Sequence, residues 1–171
     1  MKKHHENMLE EWDRRVSRAV LCHYESAKIL RKYHLCLGIP SILIIAILGS
    51  FASFGDITMN IEEGSIFWTQ LIFIILTITS AILVGLQTFL NFSQRAEKHR
   101  DDAGEYGTIR REIEQIAVTE YNSEKELNEK LNELRGKLDI LSKTTREIPN
   151  NIWKDHKKKY TKGKYKSTIF N

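Results

Sequence analysis

The stretches YHLCLGIPSILIIAILGSFASFG (Tyr33–Gly55) and GSIFWTQLIFIILTITSAILVGLQTFLNFSQ (Gly64–Gln94) contain no Asp, Glu, Lys or Arg. They are 23 and 31 residues long, in a chain of 171 residues of which 28% are charged. About 20 apolar residues in a helix cross the ~30 Å hydrocarbon core of a bilayer, and both stretches reach that length. One ionised side chain at the bilayer centre costs about 2.5–3.5 kcal/mol on the insertion scale, so the absence of charge is a strong signal. A soluble helical pair would carry polar residues every third or fourth position on its outer face. Ile42–Leu48 and Leu71–Ile78 have no such face. The expected fold class is an all-α membrane protein: a two-transmembrane helical hairpin with an N-terminal amphipathic helix and a cytosolic helical extension.

Charge sets the expected orientation. The segment Asp56–Ser65 holds Asp56, Glu62 and Glu63 and no Lys or Arg, whereas Lys28, Arg31 and Lys32 precede the first span and Arg95, Lys98 and Arg100 follow the second. Juxtamembrane Lys and Arg stay on the cytosolic side, so both termini are expected in the cytosol and the acidic loop outside, in the inner (cytoplasmic) membrane. The first apolar run begins more than thirty residues in, behind a charge-dense segment, and reads as a retained anchor and not as a cleaved signal peptide.

The parts outside the spans read as helices. From Glu6 to Lys32 an apolar stripe recurs at three- and four-residue steps through Trp12, Val16, Ala19, Val20, His23, Ala27 and Leu30. Pro40 is expected to kink the first span close to the inner leaflet. After the second span no Pro occurs until Pro149, and one long helix is expected to run on to about Tyr121–Asn122. Ser123 with Glu126 three residues later is a capping box opening a second helix. There Leu127, Leu131, Leu134, Leu138 and Leu141 form a seam of just over two heptads, too short to stand alone. It calls for packing within the chain or pairing between subunits of a homo-oligomer. The expected division is therefore 1–34 amphipathic helix, 35–94 transmembrane hairpin (helices about 35–55 and 66–94, external loop 56–65), 95–148 cytosolic helices and 149–171 tail.

The tail carries seven Lys between Lys154 and Lys166 against the single acid Asp155, interleaved with Tyr160 and Tyr165. Lys157, Lys158, Lys159 and Lys162 are candidates for contact with anionic inner-leaflet lipid, at about 1 kcal/mol per Lys near the surface. A solvated disordered tail fits the composition equally well. No folded recognition module accompanies the charge, so nucleic acid is not an expected partner.

Nothing in the chain reads as catalytic: no phosphate-cradling glycine loop, nucleophile elbow or HExxH is present. An enzyme is not expected, nor a cofactor. Cys22 and Cys36 are the only cysteines and the six His are scattered. No ligand spacing points to a metal or a disulfide framework, and the histidines are expected at surfaces or interfaces. The informative polar feature is a stripe on the second span, Thr77, Ser80, Gln87, Thr88 and Asn91, matched on the first by the small residues Gly38, Ser41, Ala46, Gly49 and Ser53. Such faces serve helix packing through close approach and hydrogen bonds. In an oligomer the same stripe could line a wet pathway.

The amphipathic WDRRVSRAVLCHYESAKILRKYH (Trp12–His34), the two spans and the post-membrane YGTIRREIEQI (Tyr106–Ile116) together resemble the SLATT proteins over roughly Glu6–Lys143. These are bacterial two-transmembrane effectors found beside nucleotide second-messenger synthases or reverse transcriptases in defence systems. The resemblance implies a pore-forming or membrane-perturbing effector of anti-phage abortive infection, with a nucleotide-signal synthase, sensor or reverse transcriptase as partner. It further implies that Tyr106, Arg110, Arg111, Glu112 and Glu114 couple a cytosolic signal to the spans. A membrane-anchored helical scaffold that recruits a cytosolic partner is the alternative.

Overall fold

The computed structural model describes residues 3–53 and 63–161. All regular structure among them is α-helical: α1 Lys3–Ser53, α2 Glu63–Leu90, α3 Phe92–Val118, α4 Glu124–Thr144 and α5 Asn150–Thr161. The chain divides into two compact units, one from Met1–Ile29 with Arg95–Asn171 and the other Leu30–Gln94. Residues 56–62 of the acidic segment, and Lys162, lie outside the described residues.

In the Leu30–Gln94 unit, α1 and α2 each carry a stretch long and apolar enough to cross a membrane, of mean hydropathy 1.9 and 2.2. Protein covers only 11% and 6% of these two stretches, where the core helix of a soluble protein would be mostly covered. Ile42 is 68% exposed and Phe89 87%. The small polar positions are what the two helices bury: Gly38 and Ser41 on α1 and Ser80 on α2. A Cβ at Gly38 would lie 3.1 Å from Gln87 Nε2, so the missing side chain is what admits the Gln87 amide. Pro40 sits inside α1 without ending it. Having no N–H, it withdraws the donor that the Cys36 carbonyl would normally meet.

The other unit is a packed helical core. Leu9 and Val16 of α1, Ile109, Ile113 and Ile116 of α3, and Leu127, Leu131, Leu134 and Leu141 of α4 form one buried cluster, with Leu138 half-buried against it. The leucine seam is therefore covered from within the chain. Each fully buried leucine contributes about 1.5–3 kcal/mol, and three amphipathic helices supply together a core that none could build alone. α4 begins where Ser123, extended at φ −144°, ψ 150°, accepts the Glu126 N–H at 3.2 Å.

One sequence expectation is corrected, and one reading left open is narrowed. The helix following the second apolar stretch is not continuous: Asn91 separates α2 from α3 with φ 44°. Its N–H still donates to the Gln87 carbonyl at 3.2 Å, so a single left-handed residue interrupts the helix with little loss of hydrogen bonding. Asn tolerates this conformation better than other side chains because its short amide bonds locally, here to Gln94 Oε1 at 2.6 Å. The start of the tail is also ordered. α5 buries Ile152 and His156, sets Trp153 under the Arg18 guanidinium at 4.2 Å and pairs His156 with Glu25 of α1.

The left-handed residue generates a test. Asn91→Gly is expected to melt at or above the parent temperature in detergent. Asn91→Val, whose β-branch resists positive φ, is expected to lose about 1–2 kcal/mol, or roughly 2–8 °C for a chain of this size. Equal melting of the two variants would mean that the backbone at 91 is not left-handed.

Candidate functional site

The polar stripe of α2 divides between two environments. Ser80 is buried, and the Gln87 amide lies 3.3 Å from His34 Nδ1 of α1. Thr77, Thr88 and Asn91 are exposed. The Thr77 and Thr88 hydroxyls donate to the carbonyls of Phe73 and Val84 one turn earlier, at 2.8 and 3.0 Å. A hydroxyl satisfied by its own helix can face an apolar medium at little cost. On α1, Gly38 and Ser41 are covered while Ala46 and Gly49 are exposed.

The candidates on α3 cross-link the helical core. Arg110 Nε reaches Asp13 Oδ1 of α1 at 3.3 Å and Glu114 Oε1 at 3.4 Å, and Asp13 is 1% exposed. Glu112 receives Lys137 of α4 at 2.9 Å. The Tyr106 hydroxyl lies 3.2 Å from Thr145 Oγ1, just past α4. Arg111 binds Thr108 within α3 at 3.0 Å. Four of the five residues YGTIRREIEQI contributes therefore join helices or serve a pair that does, and Arg111 stays on its own helix. In α5, Lys157 and Lys158 are exposed, and Lys159 is half-buried and bonded to Asp155 at 2.6 Å.

The most concentrated chemistry lies elsewhere in the same unit. His23 of α1 and His99 of α3 are 1% and 5% exposed, and their Nδ1 atoms stand 3.0 Å apart. Asp102, one turn beyond His99, places Oδ2 3.6 Å from His23 Nδ1. That same oxygen accepts the Arg146 backbone N–H at 3.1 Å. Tyr106 stacks on His23 with ring centroids 5.6 Å apart. One ligand atom from each of His23, His99 and Asp102 lies within 4.8 Å of the others, a set able to hold a metal ion.

Burial holds both imidazoles below their ordinary value of 6.5. At each, Asp102 pulls the other way, while the neighbouring His99 at His23, and Arg146 and Arg95 at His99, reinforce the lowering. Two neutral rings can share one Nδ1 proton, whereas two charged rings at this distance repel. Beside them the Cys22 thiol is pushed up to about 11, chiefly by burial, and stays protonated at neutral pH.

Of the two expected settings, surfaces or interfaces, His23, His99 and His156 take the second, buried between packed helices. A signal was present: His23 falls within the apolar stripe of α1, and His99, Ala103 and Tyr106 recur at three- and four-residue steps on one face of α3.

Two outcomes follow. Because folding lowers both histidine pKa values, the unfolded chain binds more protons below the ordinary value. Stability is then fully present above about pH 6.5 and declines as pH falls towards the folded-state values. With a chelator present, the melting temperature is expected to drop between pH 7 and 5, and less steeply in His99→Gln; an unchanged slope in the variant would count against a neutral pair. Arg110→Ala strands the buried Asp13 carboxylate, at about 1–3 kcal/mol. Glu114→Ala removes only an exposed partner and is expected to cost within about 0.5 kcal/mol. Equal melting of these two would show that Asp13 does not depend on the guanidinium.

Comparison with known proteins finds no family model, no curated protein and no solved structure that matches this chain.

Proposed function

We propose that this chain is a two-span protein of the cytoplasmic membrane with both termini in the cytosol, acting as an oligomeric effector that opens or perturbs the bilayer when its cytosolic helices receive a signal. The single observation that carries the reading is the uncovered apolar surface of α1 and α2. Ile39, Ile42, Leu43 and Ile45 on one helix and Ile72, Ile75, Ile78 and Phe89 on the other are all more than half exposed. Lipid, or lipid together with other copies of the chain, is the natural cover for a continuous apolar surface of this kind.

Two helices cannot enclose a channel, so conduction needs several subunits. Thr77 and Thr88 are exposed on α2 and available to such an assembly. The juxtamembrane charge pattern supports the orientation. The defence role rests on the sequence resemblance to SLATT proteins, with a nucleotide-signal synthase, sensor or reverse transcriptase as the activating partner and anionic lipid at the lysines.

One observation favours the scaffold reading. The leucine seam is covered within one chain, and the polar atoms of the exposed α2 threonines are satisfied by their own backbone. An anchor needs nothing more.

Membrane potential in cells expressing the chain, alone and with its genomic neighbours, separates the readings. An effector depolarises the membrane on activation, and Thr77→Leu with Thr88→Leu weakens the effect at equal protein level. An unchanged potential with activated neighbours, together with full function after exchange of residues 35–94 for an unrelated two-span anchor, would establish the scaffold instead.

A further inference from the structure

We propose that His23, His99 and Asp102 form a binding site for one divalent transition-metal ion of the zinc type, which ties α1 to α3 inside the helical core. Nothing in the effector reading requires this, and the site stands or falls independently of conduction.

The donor set comes first. Two imidazole nitrogens and one carboxylate oxygen suit Zn²⁺ and its first-row neighbours, whereas Mg²⁺ and Ca²⁺ take oxygen ligands. Geometry comes next. Bonds of about 2.0–2.1 Å to a tetrahedral Zn²⁺ place neighbouring ligand atoms roughly 3.3–3.4 Å apart. The separations here are 3.0 Å between the two Nδ1 atoms and 3.6 Å from His23 Nδ1 to Asp102 Oδ2, which bracket that value. His23 thus stands within a few tenths of an ångström of tetrahedral spacing from each partner, and all three ligand atoms lie within 4.8 Å of one another. His99 and Asp102 stand three residues apart on α3 and so share one face, a chelating pair that meets His23 from the opposing helix.

The surroundings fit a metal site better than they fit a plain histidine hydrogen bond. Two neutral rings sharing a proton need no third partner. Here a carboxylate is aimed at the same nitrogen, and the Arg146 backbone N–H holds that carboxylate in place. Such outer hydrogen bonds orient metal ligands. Burial already favours the neutral rings that coordination requires, and a metal would take the place of the shared proton. Three protein ligands leave the fourth position of a tetrahedral ion for a water molecule. One carboxylate against the nearby Arg146 and Arg95 leaves the site short of negative charge, so its affinity is expected in the micromolar range and not that of a four-ligand structural centre.

The test uses full-length protein in detergent, stripped with a chelator and titrated with CoCl₂, whose visible absorption reports tetrahedral nitrogen and oxygen ligation. His4 and His5 are a second pair of imidazoles and need a control. The expected result is one Co²⁺ per chain, displaced by Zn²⁺ and retained in the His4→Ala/His5→Ala double variant. Binding is expected to weaken at least tenfold in both His99→Gln and Asp102→Asn. The second variant preserves shape, so it reports on ligation even where the first fails to fold. Zn²⁺ is also expected to raise the melting temperature of the parent and of the double variant by more than that of Asp102→Asn. Absence of the tetrahedral spectrum, its loss in the His4/His5 variant, or equal affinity in parent and Asp102→Asn would each overturn the site.

Discussion

Two helices laid side by side can cover only one stripe of each other, and that constraint governs this protein. In α1 and α2 the covered stripe goes to glycine, serine and an amide, while Ile39, Ile42, Ile45, Ile72, Ile75, Ile78 and Phe89 are exposed. In water that arrangement would be inverted, because burying Leu or Ile contributes far more than burying Ser. In lipid it is favourable, since apolar tails solvate the branched side chains and close backbone approach does the packing. The Gly38–Gln87 approach and the Gln87–His34 contact are the local form of that preference.

The second unit buries the opposite kind of side chain. α1, α3 and α4 each bring one apolar face to a shared core, and their charged residues link the helices at the rim. Arg110 to Asp13 and Lys137 to Glu112 connect different helices, so the charge pattern contributes to which faces meet. The pairs within one helix, such as Arg15–Glu11, contribute little by comparison.

Much of this was legible in the sequence because periodicity reports what solvent each face meets. The apolar spans, the capped start of α4 and the leucine seam all come from local pattern. Three features did not. Asn91 leaves no periodic trace, since one left-handed residue shifts phase without changing composition. α5 was hidden by its lysines: charge dominated the reading, although Ile152, His156 and Lys159 recur at helical spacing. The histidine pair joins positions 76 residues apart, and each half alone resembles an ordinary core residue. Contacts across such separations depend on which helix faces are brought together, which a single strand of text does not record.

The docking of α5 has a consequence for its charge. Ile152, Trp153 and His156 hold the helix against α1, which leaves Lys154, Lys157 and Lys158 together on its outward face. A basic segment in a random chain must give up backbone freedom, about 1–2 kcal/mol per residue, before its cations can meet a surface in register. Here the fold has already taken that loss. The backbone beneath the three exposed lysines is fixed in one helix, so that part of the ordering cost falls on folding and not on any later contact.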